Sequence, residues 1–264
     1  MIQSSDHSAD WRLTLEEEGY TIGLIHQLER AITEIPLRIW ILDNSASMNL
    51  LDGYRFVLDC PGSSSSRDVR MTKCTRWQEL VETVRYHAQL AALIKAPTTF
   101  RLLNPCPNIA SEYTIAQQPI YNLDDMNRQL TSISKSIRSI QPIGVTPLTM
   151  HIYDIRNLVV SMQPSLHARN HYVTLIIATD GLPSDEKGYT GVNETQLFIH
   201  ALRMLEPLPI RLVIRLCTHE EKVKQVSSSS SLPSSIGEWF VIYYHHCTHH
   251  VPFSWVLCCT IYAL

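Results

Sequence analysis

Glycine is scarce in this sequence, and the glycine-rich loops with which many enzymes bind phosphates are missing. The chain has 264 residues and 9 glycines, and it contains neither a G-x-x-x-x-G-K-[ST] loop nor a G-x-G-x-x-G fingerprint. A G-x-S-x-G nucleophile elbow is also missing, and the sequence ties no histidine to a serine. We therefore expect a protein that is not an enzyme.

The sequence also lacks a strong charge imbalance, a long apolar run and a regular cysteine pattern. Its formal net charge of -3 creates no basic field, so nucleic acid is not an expected partner. No apolar run reaches the roughly 18 residues of a membrane span, and residues 1–12 have no apolar signal core. Seven irregularly spaced cysteines indicate free thiols in a reducing compartment. We expect a cytoplasmic protein without a membrane span.

Short apolar segments alternate with amphipathic segments through most of the chain. The amphipathic segments predict helices that begin near Thr75 and Asp124 and a third helix over roughly 148–162. The apolar segments predict strands over 36–43, 98–104, 112–117, 171–181 and 210–216. This alternation is typical of a doubly wound α/β fold, in which helices flank both faces of a mostly parallel central sheet.

The pattern divides the chain into three parts. Residues 1–35 form an N-terminal helical segment with one helix over 13–32, and residues 36–226 form the main domain. Within that domain, residues 49–73 are predicted to be a hairpin insertion. Residues 227–264 contain a serine-rich linker and an irregular tail. In that tail a last strand near Trp239 and an ill-fitting, incomplete end both stay open.

Residues with carboxylate or hydroxyl side chains directly follow two of the predicted strands, and another hydroxyl residue lies in a turn. Asp43, Ser45 and Ser47 follow the first strand, Asp180 follows the fourth, and Thr146 lies in the turn ahead of a helix. In an open parallel sheet, ligands bind beyond the carboxyl ends of the strands, where the winding reverses. Oxygen donors of this kind suit Mg²⁺, with Mn²⁺ or Ca²⁺ as alternatives. These five residues are therefore the predicted metal ligands.

The three motifs resemble the metal-ion-dependent adhesion site of von Willebrand factor A domains. The D-x-S-x-S sequence, the later threonine and the later D-G occur in the same order as in that family, and the resemblance covers roughly residues 36–217. It implies that Ser45, Ser47 and Thr146 contact the cation directly, whereas Asp43 and Asp180 act largely through water. Ala46 stands where the family's familiar motif has glycine.

The resemblance also carries expectations about the fold. It implies a six-stranded central sheet with one antiparallel edge strand, which residues 112–117 would supply. It further implies a final strand and helix, which the sequence after Val226 does not clearly provide.

The predicted function is that of a protein-interaction module. Neutral hydroxyl ligands leave much of a cation's charge uncompensated, so a carboxylate from elsewhere is attracted to a free coordination position. The expected partner is a protein that offers an Asp or Glu. Specificity would come from the loops at 48–73, 144–147 and 181–192.

Three alternatives stay open at this point. In the first, the chain is a metal-dependent hydrolase of phosphate esters. No Lys or Arg lies near residues 144–147 to hold a phosphate, however. In the second, the domain is a scaffold that binds no metal. In the third, Ser45 and Ser47 only cap a helix and Asp43 only ends a strand.

Other polar clusters have a functional and a plain interpretation. A cluster of histidines and a cysteine could bind zinc or belong to an incidental tail; its members are His245, His246, Cys247, His249 and His250. The acidic pair Asp185 and Glu186 could attract a cation or form a solvated loop. The basic residues of the hairpin could recognise an acidic partner or form ordinary surface; they are Arg55, Arg67, Arg70 and Lys73.

Overall fold

A six-stranded sheet forms the centre of the fold. The structure is a computed structural model that describes residues 10–58, 69–117, 123–218 and 239–243. The strands are β1 (Leu37–Leu42), β2 (Gly53–Leu58), β3 (Val69–Cys74), β4 (Thr98–Leu102), β5 (Glu112–Ile115), β6 (Val173–Thr179), β7 (Ile210–Leu216) and β8 (Trp239–Tyr243). The helices are α1 (Asp10–Glu17), α2 (Ile22–Glu34), α3 (Arg76–Leu93), α4 (Leu123–Ser139), α5 (Leu148–Arg169) and α6 (Val192–Arg203), with a 3₁₀ helix at Ala46–Asn49.

The strand order places the winding reversal next to β1. The order across the sheet is β5-β4-β1-β6-β7-β8, and all neighbours are parallel except β4 and β5, which pair antiparallel. Counted along the sheet's own strands, this is the order 3-2-1-4-5-6 of doubly wound folds. The antiparallel edge strand expected at 112–117 is confirmed as β5. The crevice between the carboxyl ends of β1 and β6 is therefore the switch point.

Helices pack on both faces of the sheet because its inner strands are apolar on both sides. All seven residues of β6 are buried, from Val173 to Thr179. On one face, Trp40 and Phe100 pack against α3 and α4. On the other face, Ile41 and Ile177 pack against α5 and α6. The predicted mixed α/β architecture with a mostly parallel sheet is confirmed.

Two helix boundaries differ from the prediction. The single helix expected over 13–32 is wrong: Gly19 has a left-handed φ of +89°, which breaks the segment, and the Thr21 hydroxyl then caps α2. The helix expected to end near 162 continues to Arg169 through Pro164. Burial of Leu166 against the sheet holds this last stretch despite the missing proline N–H.

The predicted hairpin is confirmed as the antiparallel pair β2–β3, which stands outside the central sheet and rests on the amino end of α3. A capping box on Thr75 and Gln78 begins that helix, as expected for Thr75. The amide of Tyr54 donates to Glu79 Oε2 at 2.9 Å. A Cβ on Gly53 would lie 2.9 Å from the Thr75 carbonyl oxygen, so glycine is needed where the hairpin meets the helix.

The sixth strand of the sheet, β8, lies in the predicted tail 227–264. For this tail the sequence allowed either a last strand or an irregular end. β8 pairs in parallel with β7, from Leu212 with Trp239 to Leu216 with Tyr243. Within the described ranges, none of the helices combines the length and apolarity that crossing a membrane requires.

Candidate metal centre

The pairing of β1 with β6 brings the two predicted aspartates to one point. Leu42 lies opposite Ala178 in the parallel ladder, and the amide of Asp43 donates to the Ala178 carbonyl at 2.9 Å. Thr179 and Asp180 follow immediately on β6. The Thr179 hydroxyl donates to Asp43 Oδ2 at 2.5 Å, so the first carboxylate is held by the strand that carries the second.

A chain of hydrogen bonds joins Asp43 to Asp180 through the two serines. The amide of Ser45 donates to Asp43 Oδ1 at 2.9 Å, and the Ser45 and Ser47 hydroxyl oxygens are 3.0 Å apart. The Ser47 hydroxyl donates to Asp180 Oδ1 at 2.8 Å. Ser45 precedes the 3₁₀ helix but makes no side-chain capping bond to it. The capping interpretation is therefore wrong for Ser45.

Thr146 is brought to the same crevice by the loop that follows Asp180. The Thr146 amide donates to the Ser184 hydroxyl, and the Ser184 amide donates to the Thr146 carbonyl, both at 2.9 Å. A Cβ placed on Gly181 would lie 3.9 Å from Thr146 Oγ1, its nearest neighbour. The threonine hydroxyl thus faces the D-G turn, and all five predicted residues lie around one crevice.

Paired asparagines fix the loops that carry these residues. Asn44 and Asn104 exchange two hydrogen bonds, from the Asn44 side-chain amide to the Asn104 carbonyl at 2.9 Å and from the Asn104 amide to Asn44 Oδ1 at 2.7 Å. The Asn104 side chain also donates to the Val145 carbonyl. Gly144 has a φ of +100°, and a Cβ there would lie 2.8 Å from the Asn104 side chain. The turn before Thr146 therefore requires glycine.

Asp43 is held in an electrostatically unfavourable position. It is fully buried, and burial together with the charge of Asp180 raises the pKa of Asp43 to about 6. The hydrogen bonds from Ser45 and Thr179 oppose that increase only in part. Strongly shifted pKa values of this kind cluster at functional sites.

This raised pKa predicts a specific pH dependence of stability. In the presence of chelator and between pH 4 and 6, Asp43 is protonated in the folded chain but ionised in the unfolded chain. Stability therefore falls with rising pH across this window, by at most about 1.4 kcal/mol per pH unit for this group, and levels off above it. Urea unfolding at several pH values gives the free energy of unfolding of the wild type and of Asp43→Asn. The difference between the two free energies measures the contribution of Asp43. A difference that does not vary with pH would contradict it.

A buried arginine, which the sequence interpretation missed, pairs with Asp180. Arg76 donates from Nη1 to Asp180 Oδ2 at 2.9 Å, and its Nε and Nη2 bind the two carboxylate oxygens of Asp52 at 2.7 and 2.6 Å. Burial acts to lower the pKa of Arg76, but the bonds to Asp52 and Asp180 outweigh it and raise the pKa. The signal in the sequence is a charged residue that directly follows the N-cap Thr75, beside the buried Trp77.

The donor atoms fit a hard cation. Two neighbouring ligands of an octahedral Mg²⁺ with bonds of 2.0–2.1 Å stand about 2.9 Å apart. The Ser45 and Ser47 oxygens, at 3.0 Å, have this separation. Among the described residues, no cluster of three or more His, Cys, Asp or Glu is placed to hold a metal. The donor set here consists instead of three hydroxyls and two carboxylates, the oxygen chemistry that Mg²⁺ prefers.

The other predicted clusters have different outcomes. The Asp185 carboxylate accepts hydrogen bonds from the amides of Lys187 and Tyr189, so it orders its own loop. Arg55, Arg70 and Lys73 lie exposed on the hairpin. Arg67 and the cluster at 245–250 lie outside the described residues.

Comparison with known proteins gives no family assignment. No protein-family model matches the chain, and a search of curated proteins finds no match either.

Proposed function

We propose that the chain is a von Willebrand factor A-like interaction module that binds one divalent cation, with Mg²⁺ as the first choice. Through this cation the module recognises an acidic residue of a protein partner. The free thiols of Cys74, Cys106 and Cys217 accord with the reducing, cytoplasmic setting proposed for the module.

One observation carries this proposal. At the switch point of the sheet, the Ser45 and Ser47 oxygens stand 3.0 Å apart, beside two carboxylates that repel each other. Asp180 has a counter-charge in Arg76. The buried Asp43, in contrast, accepts hydrogen bonds from Ser45 and Thr179 and has no ion pair among the described residues. Burial of an uncompensated charge is costly, and a cation beside Asp43 would relieve that cost.

The hydroxyl and carboxylate residues have different proposed roles at the cation. Ser45, Ser47 and Thr146 would supply neutral oxygens to the cation, and Asp43 and Asp180 would orient those hydroxyls and cation-bound water. The cation, when bound, supplies a positive charge that the neutral ligands leave largely uncompensated. A carboxylate of the partner is therefore the expected complement.

Removal of a single hydroxyl tests the cation site. We expect Mg²⁺ to raise the melting temperature of the wild type above its value in chelator, since a ligand of the folded state stabilises it by roughly 2.7 kcal/mol at a hundredfold excess over Kd. Ser47→Ala should lose most of this increase, because it removes one ligand and one hydrogen bond to Asp180. Thermal unfolding by circular dichroism measures both.

Ser139→Ala is the matched control. Ser139 is exposed at the end of α4, and its hydroxyl donates to the Ser136 carbonyl on the same helix. This variant should keep the full response to Mg²⁺. Equal responses of both variants, or no response of the wild type to Mg²⁺, Mn²⁺ or Ca²⁺, would favour the scaffold without metal.

A further inference from the structure

Six large apolar side chains are exposed around the proposed cation site. Four of them, exposed to between 65% and 74%, are the most exposed large apolar side chains among the residues whose side chains are described. An exposed apolar patch on a soluble domain marks an interaction surface. We call the following six residues the apolar rim: Leu50, Leu51, Ile143, Met150, Tyr189 and Val192.

Hydrogen bonds between the loops place the rim around the crevice. The Ile143 amide donates to the Asn44 carbonyl at 2.8 Å, and the Asn49 side chain donates to the Pro142 carbonyl at 2.8 Å. The loop that carries Ser45 and Ser47 is thereby joined to the loop that carries Thr146.

The third loop closes the arrangement on the other side of Thr146. A Cβ on Gly188 would lie 3.0 Å from the Val145 side chain, so the loop with Tyr189 rests against the residue before Thr146. Met150 lies about one helical turn after Thr146, near the start of α5. The rim residues thus flank the site from three loops and from the first turns of α5 and α6.

Two of the three loops carry no charge beside the rim residues, and Asp52, which follows Leu51, is paired with Arg76. No Asp, Glu, Lys or Arg occurs between residues 44 and 51 or between residues 139 and 153. The third loop carries Asp185, Glu186 and Lys187, and the Asp185 carboxylate binds its own loop. Salt bridges therefore contribute little recognition around the cation on two of the three loops, and apolar contact remains.

We infer that the partner segment is an extended peptide whose acidic residue is flanked by large apolar side chains. This inference rests on the proposed function, since the acidic residue is placed by the cation. The flanking side chains would cover the apolar rim and exclude water from the bond between the carboxylate and the cation, as neutral contacts do around an interface hot spot. Polar residues beside the acidic one would leave the rim exposed to water.

A displayed library of nonapeptides with a fixed central Asp and randomised flanks tests the inference on the full chain. Peptides are captured in Mg²⁺ and eluted with chelator, and the elution itself tests the proposed function. We expect large apolar residues to be enriched at positions next to the Asp. A selected peptide should bind with roughly tenfold lower affinity when Ile143→Ser or Tyr189→Ser removes a rim side chain.

Ile22→Ser is the matched control. Ile22 is 63% exposed, against 65% for Ile143, but it lies on α2, which packs on the carboxyl end of α3, far from Arg76. This variant should keep the peptide affinity. Ile143→Ser should keep the wild-type response of the melting temperature to Mg²⁺, because it leaves the ligands in place.

The outcomes separate the two proposals. The inference is overturned if chelator elutes the peptides but apolar residues are not enriched beside the Asp. It is also overturned if the wild type and Ile143→Ser bind a selected peptide with equal affinity. Both results leave the proposed function standing. A dimer of the free chain that Ile143→Ser dissociates also overturns it, because a second copy would then cover the rim. No chelator-dependent elution from a chain that binds Mg²⁺ overturns the inference together with the proposed recognition of acidic residues.

Discussion

Replacing Asp43 by Asn should make the protein more stable in chelator while its response to Mg²⁺ is lost. The raised pKa of Asp43, about 6 against an ordinary 3.8, means that ionisation of this buried carboxyl opposes folding. Neutral Asn should therefore raise the free energy of unfolding by about 1–3 kcal/mol near neutral pH. Urea unfolding in chelator and thermal unfolding with Mg²⁺ measure the two effects.

The surrounding hydrogen bonds can adapt to this change. The Asn oxygen can still accept from the Ser45 amide, and its NH₂ group can donate to the Thr179 hydroxyl. That hydroxyl can then turn toward the Gly181 carbonyl, 3.5 Å away. Asp43→Ala is the comparison that removes these bonds and leaves a void, and it should be less stable than Asp43→Asn. A loss of stability in Asp43→Asn would mean that the carboxylate serves the fold rather than a cation.

Replacing Arg76 by Gln should destabilise the cation-free protein strongly and enlarge the stabilisation by Mg²⁺. Arg76 and Asp180 are both buried and paired at 2.9 Å, and removal of one partner of a buried pair costs about 3–5 kcal/mol because the other charge is left uncompensated. A cation restores a positive charge beside Asp180, so the melting temperature should rise with Mg²⁺ by more than in the wild type.

A double-mutant cycle with Asp180→Asn separates this pair from other effects of Arg76. In chelator, Arg76→Gln should cost less in the Asp180→Asn background than in the wild type, since no buried charge is left behind. Arg76 also binds Asp52 at the base of the hairpin, and that part of the loss should remain in both backgrounds. Strict additivity would contradict the assignment of Arg76 as the counter-charge of Asp180.

The sheet and most residues of the proposed site were accessible from the sequence because both follow from local patterns. The continuous apolar runs at β1 and β6 predict strands buried on both faces, and the residues directly after them must lie at the same edge. Asp43, Ser45, Ser47 and Asp180 were found in this way, and Thr146 was found through the resemblance to the von Willebrand factor A motif. The structure brings all five together.

The features that the sequence did not predict depend on contacts between distant segments. Arg76 is 104 positions away from Asp180, and no local pattern links the two. The pairing of Asn44 with Asn104 spans 60 positions. The break at Gly19 was missed because a glycine inside a helical pattern does not by itself end a helix, and the left-handed φ that ends α1 leaves no periodic signal. The extension of α5 beyond Pro164 likewise depends on burial against the sheet.

The most direct test of the cation site is a titration of the full chain with Mn²⁺, a paramagnetic substitute for Mg²⁺, followed by electron paramagnetic resonance. We predict one bound Mn²⁺ per chain, displaced by Mg²⁺ and lost in Thr146→Val, which keeps the shape of the side chain but removes its hydroxyl. Thr33→Val, which removes a hydroxyl bound to the Glu29 carbonyl on α2, should bind Mn²⁺ as the wild type does. No saturable Mn²⁺ binding by the wild type, or undiminished binding by Thr146→Val, would contradict the account.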